Sequence, residues 1–239
     1  MPKALLRPIG RALVEHLMIE DGDRVLLGVS GGKDSLSLLH CLKHFQCHAP
    51  IHFELAAITV DPQVEDFDPS SLKPYLAELG IPYFYESQPI AEQAKAQMKG
   101  DSFCAFCSRM KRGTMYSTCR REGYNVLALA QHLDDLAESF LMSAFNGGQL
   151  RTMKANYINR DGDVRIIRPM IYVREQQTAD FARAAGLPVI ADSCPACFAK
   201  PTERARMKSL LAQEETHNND LFKSILHAIT PLLSKKDAI

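Results

Sequence analysis

The chain has 239 residues, of which 46% are hydrophobic and 23% charged, and its 28 basic and 28 acidic side chains give a formal net charge of zero. This length suits one large domain with a full hydrophobic core. No segment has the roughly 18 apolar residues that a membrane helix needs, and no apolar stretch near Met1 has the length of a secretion signal, so we expect a cytoplasmic protein without a membrane partner. The balanced charge leaves nucleic-acid binding open, since that needs only a local basic surface.

Short apolar runs alternate with segments of helical periodicity over the first 145 residues. An N-terminal helix is predicted within about residues 1–22 and ends near Gly22. The elements that follow are predicted strands at 24–30, 55–60, 81–85 and 126–130 and predicted helices at 36–45, 70–79, 105–122 and 136–144. Because the strands read as apolar on both faces, the alternation predicts an α/β fold in which a doubly wound, mostly parallel sheet is covered by helices on both sides.

The alternation weakens beyond residue 145. The elements predicted there are a strand at 164–169, a helix at 175–185 and two helices between 201 and 234. The last two form a helical C-terminal extension over about residues 200–239. No repeat or clear linker divides the sequence, and we therefore expect one domain over residues 1–239.

A six-residue motif joins the first predicted strand to the next helix. It consists of Ser30, Gly31, Gly32, Lys33, Asp34 and Ser35. At such a junction the helix N-terminus offers unpaired N–H groups and a partial positive charge, glycines let the backbone approach an anion, and the lysine and serine side chains add donors. The motif therefore predicts a phosphate-binding loop, the alternative being a glycine turn without a ligand. It is not a Walker A loop, because Gly28 precedes Gly32-Lys33 by one residue too few.

Three carboxylates accompany this motif. Asp34 belongs to it, and Asp134 and Asp135 follow the fourth predicted strand. They are hard oxygen ligands of the kind that suits Mg²⁺ bound to phosphates. The simpler interpretation of Asp134 is a helix N-cap.

Four of the seven cysteines form two C-x-x-C pairs, Cys104 with Cys107 and Cys194 with Cys197. An odd number of cysteines in a cytoplasmic chain argues against a disulfide framework. The spacing is typical of an iron–sulfur cluster or a structural zinc site, and burial as small hydrophobic residues is a third interpretation. The remaining cysteines are predicted to be packing residues: Cys41, Cys47 and Cys119.

The hexapeptide is the signature of the PP-loop ATP pyrophosphatases, and the chain resembles this family. The resemblance implies the PP-loop fold of the adenine nucleotide α-hydrolase type, with ATP at the carboxyl ends of the strands. It also implies that ATP adenylates a substrate oxygen while pyrophosphate leaves, with Lys33 and Asp34 as catalytic residues and Asp34 and Asp134 on Mg²⁺. The residues implied in ATP binding are Ser30, Gly31, Gly32, Lys33, Asp34, Ser35, Val60, Asp61, His132, Asp134 and Asp135.

The segment 104–113, Cys-x-x-Cys-Ser-Arg-x-x-Arg-Gly, is similar to a block of the tRNA 2-thiocytidine synthetases. So are Ile167-Arg168-Pro169 and the proline four residues after Cys197, and the similarity runs from about residue 5 to about 208. In that family three cysteines hold a [4Fe–4S] cluster with one iron left open. The resemblance maps these ligands to Cys104, Cys107 and Cys197, with Cys194 as a further candidate, and gives Cys104 and Cys107 a catalytic role.

Basic residues surround both cysteine pairs. They are interpreted either as solvated helix faces or as phosphate contacts to an RNA loop. The residues predicted to contact RNA are Arg109, Lys111, Arg112, Arg168 and Arg204. The implied partners are the anticodon loop of tRNA, a sulfur donor such as a cysteine desulfurase, and a second copy of the chain in a homodimer.

The leading hypothesis is an enzyme, an ATP- and [4Fe–4S]-dependent sulfurtransferase that converts tRNA cytidine 32 to 2-thiocytidine. One alternative is a PP-loop ligase that transfers ammonia or an amine and contains a structural zinc. Another is sulfur transfer to a substrate other than tRNA. A third is a nucleotide-binding sensor without catalytic activity, which would bind ATP but release no pyrophosphate.

Overall fold

The computed structural model describes residues 1–64, 67–97, 103–190 and 202–234. Its strands form one sheet with the order β3-β2-β1-β4-β6-β5. Their bounds are β1 (Arg24–Gly28), β2 (Glu54–Asp61), β3 (Tyr83–Ser87), β4 (Val126–Ala128), β5 (Asn156–Ile158) and β6 (Arg165–Ile167). All neighbouring pairs are parallel except β5 with β6, which is antiparallel. The expected doubly wound, mostly parallel sheet is confirmed.

Helices occupy the connections between these strands and continue after the sheet. Their bounds are α1 (Lys3–Glu15), α2 (Lys33–His48), α3 (Leu72–Glu78), α4 (Ile90–Gln97), α5 (Phe103–Glu122), α6 (Leu133–Gly147), α7 (Glu175–Ala184), α8 (Glu203–His217) and α9 (Leu221–Leu233). Helices therefore follow the sheet, as the expected C-terminal extension requires. In the part of the chain that the structure describes, no helix is long and apolar enough to cross a membrane.

Alternate residues of the central strand point to two different helical layers. Leu26 of β1 packs in a cluster with residues of α4 and α5, such as Ile90 and Met115. Val25 and Leu27, on the opposite face of the same strand, pack in the larger cluster with residues of α1, α2 and α6. This alternation follows from the two-residue period of a strand, and it explains why the run 24–30 is apolar without interruption.

The order of the strands places the site. The chain leaves β1 toward β2 and β3, and then crosses back to β4 on the other side of β1. At this reversal the connections after β1 and β4 diverge, which leaves a crevice at the carboxyl ends of the two strands. Gly28 keeps the crevice open, because a Cβ there would lie 3.1 Å from Met115 Sδ and 3.3 Å from Leu129 Cδ2.

Some elements differ from the sequence-based expectation. Helix α1 ends at Glu15, well before the expected Gly22, because the backbone of Leu17 adopts a positive φ of 47° that no helix tolerates. Helix α4 and strand β5 were not predicted. Strand β5 has only three residues on the edge of the sheet, too few for a periodic pattern. The single-domain assignment stays a prediction.

The packing of β1 leads to a stability prediction. Leu27→Ala removes a fully buried side chain and should lower the free energy of unfolding by about 2–5 kcal/mol, measured by urea denaturation. Leu150→Ala is the matched control, since Leu150 is 69% exposed and its loss should change stability by no more than about 0.5 kcal/mol. Equal effects of the two variants would contradict the burial of Leu27.

Candidate nucleotide-binding site

The phosphate loop occupies the turn between β1 and α2. Gly31 has a φ of 86°, and a Cβ at this position would lie 2.5 Å from Cδ1 of Ile190. Glycine is therefore required here for two reasons, the left-handed backbone and the close approach of Ile190. The Ile190 N–H also donates to the Gly31 carbonyl oxygen at 3.0 Å, which fixes the loop to the residue that follows α7 and its turn.

The N-terminus of α2 faces this loop without a capping side chain. Gly32 is the N-cap residue and has no side chain to accept from the first N–H groups of the helix. The hydroxyls nearby bond within the loop: Ser35 Oγ donates to the Gly32 carbonyl at 2.9 Å, and the Gly32 N–H donates to Ser30 Oγ at 3.3 Å. The free N–H groups and the positive end of the helix dipole suit an anion such as a phosphate.

A cavity of about 280 Å³ opens beside the loop at the carboxyl ends of β1, β2 and β4. It has an apolar half, suited to a purine ring, and a polar half next to the loop. Its lining residues are Gly28, Val29, Ser30, Gly32, Asp34, Ser35, Ile58, Val60, Phe67, Lys111, Met115, Leu129, Ala130, Gln131, Asp135 and Arg204. Most of the predicted ATP residues thus come together. Asp61 does not line the cavity, because its carboxylate accepts hydrogen bonds from Tyr85 and from the Gln63 N–H.

His132 organises the start of α6. It is the N-cap residue, and its Nδ1 accepts from the Asp135 N–H at 3.3 Å while the Asp135 carboxylate accepts from the His132 N–H at 3.0 Å. This reciprocal capping box positions both side chains. The interpretation of Asp134 as the N-cap of this helix is therefore wrong. His132 lies between the two predicted magnesium ligands, with Nε2 3.8 Å from Asp34 Oδ2 and Nδ1 3.7 Å from Asp134 Oδ2.

Asp134 stabilises a different helix. Its Oδ2 accepts from the Glu175 N–H, the first of α7, at 2.8 Å, and its two oxygens accept from Nε of Arg174 at 3.1 and 3.2 Å. Arg174 continues as a bridge, since Nη1 and Nη2 donate to the two oxygens of Glu215 at 2.7 and 3.0 Å and the guanidinium stacks on the Phe222 ring at 3.3 Å. One side chain therefore joins α6, the start of α7, α8 and α9.

Lys33 points toward α7. Its Nζ donates to Glu175 Oε1 at 2.9 Å and to Asp34 Oδ2 at 3.2 Å. Lys208 of α8 donates to the other oxygen of Glu175 at 2.6 Å. Burial by itself would raise the pKa of Glu175, but the hydrogen bonds from Lys208 and Lys33 outweigh it and lower this pKa to about 2. The carboxylate is therefore a permanent anion that holds two amines.

A second cavity, of about 730 Å³, adjoins the first on the side of α7 and α8. Its lining residues are Lys33, Asp134, Glu138, Arg174, Glu175, Gln176, Gln177, Ala179, Lys208, Leu211, Ala212, Glu215 and Phe222. Glu138 is only 4% exposed, and burial, followed by repulsion from Asp135, raises its pKa to about 7. Lys33 lines this second cavity, and four other residues of the phosphate loop line the first cavity: Ser30, Gly32, Asp34 and Ser35. The phosphate loop therefore borders both cavities.

Magnesium coordination stays a prediction. Among the described residues, no three His, Cys, Asp or Glu side chains converge as a metal site. Mg²⁺ is usually bound by one or two carboxylates together with phosphates and water, so Asp34 and Asp134 remain suitable ligands. Each has protein partners here, since Asp34 accepts from Thr178 Oγ1 and Lys33, and Asp134 accepts from Arg174.

The first cysteine pair lies at the start of α5. Cys104 and Cys107 are one helical turn apart, and the half-buried thiol of Cys107 is not in a disulfide and packs against an apolar cluster. Such a thiol suits an iron–sulfur or a zinc ligand. Cys194 and Cys197 lie outside the described residues, as does Pro201, and the set of cluster ligands therefore stays a prediction.

The three remaining cysteines divide into two groups. Cys41 and Cys119 are buried, and burial raises the pKa of each thiol to about 12, as expected for packing residues. Cys47 is exposed near the end of α2, so its prediction as a packing residue is wrong.

The residues predicted to contact RNA occupy different environments. Arg109, exposed near the start of α5, lies over the Phe106 ring at 5.7 Å, while Lys111 lines the first cavity. Arg168 is only 4% exposed, and it donates to Gln131 Oε1 at 2.9 Å and to the Lys154 carbonyl at 2.6 Å. A phosphate contact from Arg168 is therefore not supported, because its guanidinium is enclosed and already bonded.

Two other members of that set are on or near the site. Arg112 is half-buried on α5, and Arg204 lines the first cavity and donates to Asp135 Oδ1 at 2.9 Å. The sequence-based reasoning assigned no role to Arg174, Glu175 or Thr178. Glu175 and Thr178 contact Lys33 and Asp34, which lie more than 140 residues earlier in the chain, and Arg174 contacts Asp134, which lies 40 residues earlier. The local sequence indicated only that an acidic residue opens the predicted helix.

The sequence matches known proteins over nearly its whole length. Residues 6–215 match the PP-loop domain family. Two curated relatives are the proteins named tRNA-cytidine(32) 2-sulfurtransferase from Geobacter sulfurreducens and Syntrophotalea carbinolica. The first is 37% identical over 228 residues, 95% of this chain and 89% of the relative. The second is 39% identical over 221 residues, 92% of this chain and 85% of the relative.

Solved structures share the fold. The U34-tRNA thiolase NcsA from Methanococcus maripaludis, with its [4Fe-4S] cluster, superimposes with a TM-score of 0.78 at 21% identity, over 97% of this chain and 78% of that one. The NH3-dependent NAD synthetase from Campylobacter jejuni does so with a TM-score of 0.53 at 14% identity, over 99% and 97%. With the family match and the curated relatives, the conclusion is that the chain belongs to the PP-loop family and, within it, to the tRNA-cytidine(32) 2-sulfurtransferases.

Proposed function

We propose that this protein is an ATP-dependent sulfurtransferase that converts cytidine 32 of tRNA to 2-thiocytidine and uses Mg²⁺ and a [4Fe–4S] cluster. The observation that carries the proposal is the uncapped N-terminus of α2, which opens onto a cavity with an apolar half and a polar half. The membership of the chain in the sulfurtransferase family supports the identity of the substrate.

The site has the parts that adenylation of a base needs. The N–H groups of the loop, with Lys33 and Ser35, are suited to hold the phosphates of ATP, and Asp34 and Asp134 to hold Mg²⁺. The O2 atom of cytidine attacks the α-phosphorus, and pyrophosphate leaves with the electron pair of the broken P–O bond. The role of the protein in this step is to position the two reactants and to neutralise the charge on the leaving group.

The second half of the reaction replaces oxygen by sulfur. A sulfur atom at the oxidation level of sulfide bonds to C2, and AMP leaves with the former O2 atom and the bonding electron pair. When bound, the cluster supplies an iron that can hold sulfur. Cys104 and Cys107 would hold it, together with Cys197. Helix α5 carries the first two and also Lys111 and Met115, which line the nucleotide cavity, so one rigid helix relates the two chemical sites.

The substrate and partners follow from this assignment. The anticodon loop of tRNA approaches over α5, where Arg109, Lys111 and Arg112 provide positive charge. A donor such as a cysteine desulfurase supplies the sulfur, and the reaction takes place in the cytoplasm. The homodimer stays a prediction.

The decisive experiment measures thionucleosides in tRNA. A strain that lacks this gene should have no 2-thiocytidine in its digested tRNA by mass spectrometry, and a plasmid copy of the gene should restore it. Other thionucleosides are the internal control and should not change. Unchanged 2-thiocytidine in the deletion strain would refute the tRNA assignment and favour a different substrate.

The cluster can be tested through Cys107. The protein purified anaerobically should contain about four irons and four sulfides, and Cys107→Ser should lose most of both and all thiolation while it still binds ATP. Cys47→Ser is the matched control, because Cys47 is an exposed cysteine on α2, and it should behave as the wild type. One zinc and no iron in the wild type would instead support a PP-loop ligase with a structural zinc.

ATP use can be tested through Lys33. Lys33→Met should lower the rate of pyrophosphate release with unmodified tRNA by about 100-fold, because a cation that faces the leaving group is lost. Lys223→Met is the control, since Lys223 is exposed on α9 and pairs with Asp220, and its rate should equal that of the wild type. A wild-type rate in Lys33→Met would show that the loop does not act on ATP.

A further inference from the structure

We propose that Arg204 and Lys208 of α8 bind the phosphate chain of ATP, a role that rests on the proposed function. Asp135 and Glu175 hold these two cations at the rim of the site. When ATP binds, Arg204 and Lys208 exchange these carboxylates for phosphate oxygens. Arg204 is then a nucleotide ligand and not the RNA contact that the sequence predicted.

The direction of the two side chains follows from the packing of α8. Met207 and Leu211 are buried and attach this helix to the body of the protein. Arg204 lies three residues before Met207, and Lys208 lies three residues before Leu211, so each cation is next to an anchor on the helix surface. Their charged ends reach Asp135 of α6 and Glu175 of α7, although both side chains are partly exposed. Arg206 lies on the other side of the helix and pairs with Glu203 of the same turn.

Arg204 lines the first cavity, together with Asp135 and residues of the phosphate loop. Its Nη1 donates to Asp135 Oδ1 at 2.9 Å and lies 3.8 Å from Glu138 Oε2. The side chain is 48% exposed, so the pair with Asp135 is partly solvated and can be broken at small cost. A guanidinium can bind two phosphate oxygens at once, so a phosphate group can replace Asp135 as the partner of Arg204.

Lys208 reaches the second cavity one turn further along α8. Its Nζ donates to Glu175 Oε2, while Lys33 donates to Oε1 of the same carboxylate. Glu175 therefore holds the lysine of the phosphate loop and the lysine of α8 next to each other. Two amines that share one carboxylate are prepared for a ligand with several negative charges, because a phosphate group can replace the bridging anion.

The balance of charge requires such an exchange. Six carboxylates line the two cavities: Asp34, Asp134, Asp135, Glu138, Glu175 and Glu215. A triphosphate that enters this region would be repelled unless nearby cations turn from the carboxylates to the phosphates. Arg174 is less suited to turn, since it is bonded to both Asp134 and Glu215 and stacked on Phe222. Arg204 is hydrogen-bonded to Asp135 and Lys208 to Glu175, and both cations are more exposed than Arg174.

The experiment separates nucleotide binding from RNA binding. The affinity of the full-length protein for a non-hydrolysable ATP analogue with Mg²⁺ and, separately, for unmodified tRNA is measured by calorimetry. Arg204→Ala and Lys208→Ala should each weaken the binding of the analogue by about tenfold or more, the loss of one charge-assisted hydrogen bond, and change tRNA affinity less than about twofold. Binding of AMP, which lacks the β- and γ-phosphates, should be weakened less.

Arg206→Ala is the matched control on the same helix and should leave the affinity for the analogue unchanged. The charge-retaining variant Arg204→Lys should bind the analogue with intermediate affinity, which a misfolded protein would not do. Wild-type affinity for the analogue in Arg204→Ala, or a loss of tRNA affinity alone, would overturn the inference and leave the proposed function standing. Failure of the wild-type protein to bind any ATP analogue would overturn both.

Discussion

The guanidinium of Arg174 connects the start of α6 to the two C-terminal helices. This guanidinium pairs with Asp134 at the start of α6, donates to both oxygens of Glu215 on α8 and stacks on the ring of Phe222 on α9. Asp134 in turn accepts the first N–H of α7. Since one planar, five-donor group satisfies partners on several elements, the helices around the phosphate loop have one relative arrangement.

The site is built from charged side chains that pair with one another. Lys33, Glu175 and Lys208 form one chain of ion pairs, and Arg204 with Asp135 forms another. In a region where six carboxylates line the cavities, these pairs keep the repulsion between acids low and hold the cations at the rim. Binding of a polyanion is then an exchange of partners, and the protein does not have to create a positively charged surface for it. This agrees with a formal net charge of zero in a protein proposed to bind ATP and tRNA.

The sequence predicted the features that are local and missed those that depend on distant contacts. The hexapeptide and the alternation of strands and helices are contiguous patterns, and the fold and the loop followed from them. The N-cap of α6 was assigned to Asp134, although His132 fills it, because both types of residue can accept from a backbone N–H. The RNA contact predicted for Arg168 is not supported, since its guanidinium is bonded to Gln131 and Lys154, which stand 37 and 14 residues away in the chain and which no periodic pattern connects to it. The pairing of Lys33 with Glu175 also joins residues far apart in the chain, 142 positions from each other, and could not be predicted from a local pattern.

The contact between Gly31 and Ile190 has a consequence for the shape of the phosphate loop. The Ile190 side chain fills the space where a Cβ of residue 31 would stand, and its N–H is bonded to the Gly31 carbonyl. The phosphate loop and Ile190 are therefore held together by both a side-chain contact and a backbone hydrogen bond. A larger residue at position 31 would displace Ile190 or change the shape of the loop.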